Sequence, residues 1–432
     1  MMNWLKPNRA SLGPDNQHSH SPKSTNHTLS EPAMPLPFIT RVVLHNYRNI
    51  SHCDVSLGTL AFLVGPNGSG KSNFLDALNL VRDAVDQDLD YALTRRNGLS
   101  SVMAASEGLA GTLGIRLEFS LSGGKTGYYA FLLAASSGGG YSVAQEECFL
   151  YYPSHERLPD YFKIVGGDVD TNLTTEFHRI APARHQLALS TPPGTMGEIA
   201  TALLGMHFYS INPGTFRQPG STLLIGKKLL DRDGSNLTTV LRRLATEAPD
   251  TIQRIEEYLK QIVPSIDNVT PRLMAGQQQI LEFTGAQTSV RPFDASMMSD
   301  GTLRVLGILT GLFQTPEGSN RPLTLVGVEE PEATIHPAAA GVLLDCLKEA
   351  SDTIQVVVTS HSPELLDDKN LDPSSIISFS IENGRAKVGP LTSDGASVVR
   401  DRLTTVGELL RTDQIRPDSA PMASAKESLF SE

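Results

Sequence analysis

Cysteine is scarce in this chain: Cys53, Cys148 and Cys346 are the whole complement of 432 residues. They are too few and too widely spaced for a disulfide framework or a zinc pattern, so a reducing, cytoplasmic setting is expected. Long apolar runs are also missing. None approaches the roughly 18 residues that a bilayer-spanning helix needs, and residues 1–30 lack the apolar centre of a signal peptide, so no membrane association is expected. Positive charge is in deficit as well, with 36 Lys plus Arg against 47 Asp plus Glu and a net charge of −11. Such a chain does not coat polyanions by bulk charge, although a local basic groove stays open to it.

What is present is an ordinary globular composition, 40% hydrophobic and 19% charged. The length alone suggests two or three folding units at about 150 residues each. Residues 1–36 stand apart. They are rich in Ser, Asn, His and Pro, have hardly any periodic apolar positions, and are expected to be a disordered tail. His18, His20 and His27 lie there without a Cys or carboxylate spaced to complete a metal site. Residues 413–432 are expected to be a second flexible tail.

Between the tails the rhythm is α/β at both ends and different in the middle. Ile39, Val42, Val43 and Leu44 predict a strand, residues 60–64 a buried one, and Phe74, Leu75, Leu78, Val81 and Val85 a helix from Lys71. Residues 115–121 and 128–133 alternate around a Ser-Gly-Gly-Lys turn and predict a hairpin that opens an antiparallel meander. Residues 236–262 carry helical spacing divided at Ala248-Pro249, and neither half is long enough for a stable coiled coil. From 297 the α/β rhythm returns: helix 302–312, strand 323–328, helix 339–348, strand 354–359. One head over 37–412 is therefore expected, its core built from 37–85 and 297–412, with 86–296 inserted as a β meander and helices.

The chemistry begins at Gly65-Pro66-Asn67-Gly68-Ser69-Gly70-Lys71-Ser72, which fits G-x-x-x-x-G-K-[ST] and lies between a buried strand and a helix. Glycines let successive backbone N–H groups face phosphates, the helix start adds partial positive charge, Lys71 reaches the β and γ phosphates, and Ser72 ligates Mg²⁺. Asn73 continues the nucleotide-binding stretch. These residues predict a P-loop NTPase fold that binds a nucleotide, ATP, with Mg²⁺; the loop alone is shared by kinases, GTPases, AAA+ motors and ABC-type ATPases, and the lack of an Asn-Lys-x-Asp guanine reader in the sequence lowers the GTPase reading. Downstream, the apolar strand 323–328 ends in Glu329-Glu330-Pro331-Glu332, at the strand end where an α/β sheet binds its ligand. Glu329 is placed to hold the metal, and Glu330 to orient or deprotonate the attacking water. A second apolar strand ends in Ser360-His361-Ser362, and a histidine there can hydrogen-bond a γ-phosphate. Ser299-Asp300-Gly301 precedes helix 302–312 and forms a second anion site.

In this order the motifs resemble the ABC-type ATPase heads of the RecF, SMC and OLD group, especially stand-alone RecF-like AAA ATPases of bacteria. The resemblance runs over residues 38–412 and includes Asn46-Tyr47-Arg48-Asn49, the Glu-Glu-Pro-Glu run, the Ser-His-Ser-Pro turn and Gly407-Glu408-Leu409-Leu410-Arg411. It implies that Ser299, Asp300 and Gly301 are the signature motif, Glu330 the hydrolytic acid, His361 the switch histidine, and Arg48 a residue near the nucleotide. It also implies a homodimer that closes head to head on ATP, each signature completing the other subunit's site, in DNA repair or antiviral defence. Three departures stand out: Glu329 replaces the usual Asp, the Q-loop glutamine has only Gln87 and Gln145 as candidates, and the long coiled-coil arms are missing. Two readings of the output remain open. One couples the ATP cycle to DNA, through basic clusters at His178, Arg179, Arg184 and His185, at Lys227 and Lys228, or at Arg242 and Arg243. The other is a nucleotide-gated scaffold or sensor that controls a separate effector such as a nuclease.

Overall fold

The computed structural model of the protein describes residues 37–103, 111–136, 140–154, 156–173, 186–217, 220–221, 229–274, 278–285, 292–314, 322–418 and 429–430. The 1–36 tail with its histidines, the 178–185 basic cluster and Lys227 and Lys228 lie outside them.

Strands β1 (Ile39–Tyr47) and β2 (Ile50–Ser56) form an antiparallel hairpin whose turn puts Arg48 in the left-handed region, at φ 50°. Strand β3 (Leu60–Val64) is buried on both faces: Ala61 and Leu63 enter one hydrophobic cluster, Phe62 and Val64 the other. A strand covered on both sides reads as a continuous apolar run, which is how it appears in the sequence. Helix α1 (Lys71–Asp86) packs Phe74, Leu75, Leu78 and Val81 onto the first cluster, and the short helices α2 (Leu89–Thr94) and α3 (Leu99–Val102) follow it.

The alternating middle segment folds as the meander β4 (Thr112–Leu121), β5 (Lys125–Ala135), β6 (Tyr141–Tyr151), β7 (Asp160–Val165) and β8 (Asp168–Thr171), joined to β1 through β4. Helix α4 (Met196–Leu204) and strand β9 (Met206–Tyr209) come next. A second, small sheet holds β10 (Gly220–Ser221), β11 (Asn268–Met274), β12 (Gln278–Thr284) and β13 (Phe293–Asp294). The helices α5 (Leu237–Glu247) and α6 (Pro249–Ile262) precede its long strands. Pro249 has no N–H to donate and starts the second helix, so the pair stays at 11 and 14 residues and no arm extends from it.

The chain then supplies α7 (Asp300–Phe313), β14 (Leu325–Glu329), α8 (Ala340–Ser351), β15 (Gln355–Ser360), β16 (Ile376–Glu382), β17 (Arg385–Pro390), α9 (Ser393–Arg400) and α10 (Val406–Arg411). Thirteen strands form one sheet in the order β8-β7-β6-β5-β4-β1-β2-β17-β16-β3-β15-β14-β9. From β16 to β9 all neighbours are parallel, and the meander end is antiparallel. Parallel pairing brings the ends of β3, β14 and β15 to one edge, so the phosphate loop, Glu330 and His361 leave the sheet side by side. Strand β9, from the span expected as an insertion, pairs with β14 and is the outer strand of this parallel half. Two pieces of the span expected as a C-terminal tail are held: Pro417 bridges to Leu391, and Leu429 is fully buried against Gly114, with its carbonyl accepting from Arg116 at 3.0 Å. Among the described residues, no helix is long and apolar enough to cross a membrane.

Candidate nucleotide site

The loop between β3 and α1 is glycine-rich for steric reasons visible at two positions. A Cβ on Gly65 would lie 2.2 Å from the Phe379 carbonyl oxygen, and Gly70, at φ 107°, would push one to 2.8 Å from Asn49 Oδ1. Asn49 braces the loop from the β1–β2 turn: its Nδ2 donates to the Gly68 carbonyl at 3.1 Å, and its Oδ1 accepts from Asn73 at 2.7 Å. Pro66, Asn67 and Gly68 form the exposed crest, and Ser69 is fully buried beneath it. The Lys71 ammonium donates to the carbonyls of Gly65 at 2.8 Å and Pro66 at 2.9 Å, so it is folded along its own loop. Burial pushes this ammonium below the usual lysine range, and the Glu330 and Glu332 carboxylates offset part of that shift.

Beside the start of α1 lies a polar cavity of about 220 Å³, whose lining includes Arg48, Ser72, Asn73, Asp76, Arg232 and Glu329. The Arg48 guanidinium pairs with Asp76 at 2.7 Å and contacts Asn73 Oδ1 at 3.4 Å, while its buried Nε has no partner among the described residues. Asp76 also accepts from Tyr47 at 2.8 Å and Arg96 at 2.9 Å, so α1 carries the carboxylate that holds Arg48 in place. The exposed Ser72 hydroxyl and the Glu329 carboxylate offer two hard oxygen donors on one wall system, which suits Mg²⁺. The Glu329 carboxylate is held by Arg232 at 3.0 Å.

Glu330 sits where β14 ends, in the left-handed region at φ 44°. Its N–H donates to the carbonyl and hydroxyl oxygens of Thr359, each at 3.1 Å, so β15 fixes the turn. A non-glycine residue in this conformation costs on the order of 1–2 kcal/mol, and such strain gathers at functional turns. The turn aims the side chain at the next strand end, where Glu330 Oε1 is 3.3 Å from His361 Nδ1. Beneath them Glu332 accepts from the Ser360 hydroxyl at 2.6 Å and the His361 N–H at 3.3 Å. Burial raises the Glu332 pKa, opposed by these hydrogen bonds.

Ser299 caps α7, its hydroxyl accepting from the Thr302 N–H at 3.2 Å. Asp300 pairs with Arg217 at 2.7 Å, and Gly301 packs under the Thr334 carbonyl, 2.3 Å from where a Cβ would stand. None of these three lines the cavity beside Ser72. The two Q-loop candidates lie elsewhere: Gln87 ends α1 with its amide on Asp86, and Gln145 is buried in the meander on Glu147. Asn49, Asp76, Glu332 and Arg232 received no role from sequence. For Asn49 and Glu332 the signal was adjacency to Arg48 and Glu330, whereas Arg232 lies outside every motif.

The family model described as "AAA domain, putative AbiEii toxin, Type IV TA system" matches residues 60–171 and 229–367, more than half of the chain. A stretch of 49 residues is 45% identical to the DNA replication and repair protein RecF of Aliivibrio salmonicida (strain LFI1238), covering 11% of this chain and 13% of that protein. A 49-residue match of 45% identity and the same coverage is found with RecF of Vibrio cholerae serotype O1 (strain ATCC 39541 / Classical Ogawa 395 / O395). The chain thus matches about an eighth of the length of these curated relatives. Among solved structures, an Smc head bound to the C-winged helix domain of ScpA superposes with TM-score 0.49 and 15% identity, over 83% of this chain and 100% of that one. The SMC head domain from Thermotoga maritima gives TM-score 0.43 and 14% identity, over 82% and 99%.

Proposed function

Because the chain belongs to the AAA-domain family whose model spans more than half of it, we propose that it is a Mg²⁺-dependent ATPase whose ATP-bound form is a head-to-head homodimer. The observation that carries this reading is the convergence of the loop, Glu330 and His361 at one sheet edge, with the two side chains 3.3 Å apart. The loop amides and Lys71 bind the phosphates, Lys71 exchanging its two loop carbonyls for phosphate oxygens. Ser72 and Glu329 would hold Mg²⁺, which when bound neutralises charge on the phosphate oxygens. Glu330 orients the attacking water and takes its proton, and His361 fixes the Glu330 carboxylate from the β15 side. Arg48, held by Asp76, is positioned to add positive charge beside the nucleotide.

In the dimer Ser299, Asp300 and Gly301 of one subunit face the ATP bound by the other, so the nucleotide is the interface glue. Hydrolysis then reopens the pair. The protein's task in this reading lies in the cytoplasm, in DNA repair or antiviral defence; the 49-residue match to a DNA replication and repair protein supports the repair side alone, and the net charge of −11 confines any DNA contact to a local patch. A separate effector such as a nuclease would read the same open and closed states. Light scattering with and without Mg²⁺ and ATP tests the switch: Glu330→Gln should accumulate the ATP-bound dimer and Lys71→Ala should stay at the monomer mass. Equal masses for both variants under all conditions would rule the switch out.

A further inference from the structure

The cavity beside Ser72 contains a cation that the phosphate-loop motif does not account for. Arg232 lies in the turn Asp231-Arg232-Asp233-Gly234, closed by the Gly234 N–H on the Asp231 carbonyl at 2.9 Å. Three other parts of the fold fasten this turn. The chain leaving β9 donates from the Ser210 N–H to the Arg232 carbonyl at 2.9 Å and from the Asn212 N–H to the Asp233 carbonyl at 3.0 Å. The Asn236 side chain, at the start of α5, accepts from the Asp231 N–H at 2.7 Å, and Gln314, at the end of α7, accepts from the Leu230 N–H at 2.8 Å. The backbone of Arg232 is therefore fixed, while its side chain crosses the cavity to Glu329 Oε1 at 3.0 Å.

That oxygen belongs to the carboxylate that suits a divalent ion together with Ser72. A guanidinium and a divalent cation on one carboxylate repel each other and compete for the same lone pairs. The ion pair is part-exposed, 46% on the Arg232 side and 21% on the Glu329 side, so exchanging its partner costs little. Once displaced, Arg232 stays in a cavity that also holds Arg48, Arg95 and Arg96, and the acids there, Asp76 and Asp83, already pair with Arg48 and Arg96. The new anion in such a space is the phosphate chain of a nucleotide, for which a planar five-donor fork is well suited.

We propose that Arg232 is a positioning residue that acts as the displaceable counter-ion of Glu329. It neutralises the carboxylate before the metal arrives, gives it up to the metal, and then pairs with nucleotide phosphate. Because its turn is bonded to β9, α5 and α7, this exchange ties the helical segment to the metal and nucleotide state of the core. The inference rests on the ATPase reading above.

The test is Mn²⁺ binding to the nucleotide-free full chain, followed by electron paramagnetic resonance, with affinity for a non-hydrolysable ATP analogue measured in parallel. Arg232→Ala should bind Mn²⁺ about threefold to tenfold more tightly, because a competing cation is gone, while binding the analogue more weakly by a similar factor. Arg232→Gln should behave alike, Arg232→Lys should fall between it and wild type, and a Glu329→Gln background should erase the gain in metal affinity. Unchanged or weaker Mn²⁺ binding in a folded Arg232→Ala or Arg232→Gln protein overturns the proposal and leaves the ATPase reading standing. Failure of the wild-type protein to bind the analogue with Mn²⁺ overturns both.

Discussion

Single side chains show how the chain handles charge away from water. Glu146 is fully buried in the meander, where it accepts from the N–H groups of Ala188 and Leu189 and from the Tyr129 hydroxyl. Burial pushes its pKa up to about 7, against hydrogen bonds that pull it down. Its folded value lies above its unfolded one, so the folded state binds the extra proton, and this contribution to stability is lost as pH rises from about 4.5 to about 7. The loss amounts to about 3 kcal/mol at most. Urea denaturation from pH 4.5 to 8 should show this downward component in the wild type and its absence in Glu146→Gln, whatever the offset between the two curves. Parallel curves would refute the assignment. At the site, Glu332 carries a shift of the same sign next to His361, while Lys71 is shifted toward its neutral form by burial and held partly back by Glu330 and Glu332.

Elements with long, strongly patterned sequences are legible in the sequence itself. The predicted strand at 60–64 is β3, the helix from Lys71 is α1, the hairpin is β4–β5, and the division at Ala248-Pro249 separates α5 from α6. Strand β9 was not legible, because four residues, Met206-His207-Phe208-Tyr209, cannot establish a period, and their partner β14 lies more than 100 residues downstream. The same distance problem hid Arg232, which is 97 residues from Glu329. The left-handed turn at Glu330 was hidden for another reason: it is enforced by Thr359 on a neighbouring strand, not by a local turn residue. The start of α7 offers a check at this scale. Gly301→Ala sets a methyl 2.3 Å from the Thr334 carbonyl oxygen, so the helix start must move off the turn that follows the acids. A loss of about 1–3 kcal/mol in denaturant unfolding is expected, and wild-type stability would show that the contact is slack.

On the scale of the molecule, the length that suggested two or three domains goes largely into one 13-stranded sheet, with a small second sheet of four strands beside the helices α5 and α6. Two hydrophobic clusters cover the faces of the large sheet, and the span 86–296 contributes strands to it at both ends, β8 at one and β9 at the other. The phosphate loop and both catalytic candidates hang from its parallel half, so nucleotide chemistry and the fastening of the helical segment share one rigid frame. The net charge of −11 makes binding of a compact nucleotide–metal complex through local arginines better suited to this surface than wrapping a polyanion. If Glu330 is the base for ATP hydrolysis on this frame, phosphate release measured beside nucleotide binding will separate its role in turnover from any role in binding. Mg²⁺-dependent turnover is expected for the wild-type protein, with a loss of at least about 100-fold in Glu330→Gln, which should still bind ATP. Wild-type turnover in folded Glu330→Gln would contradict that role.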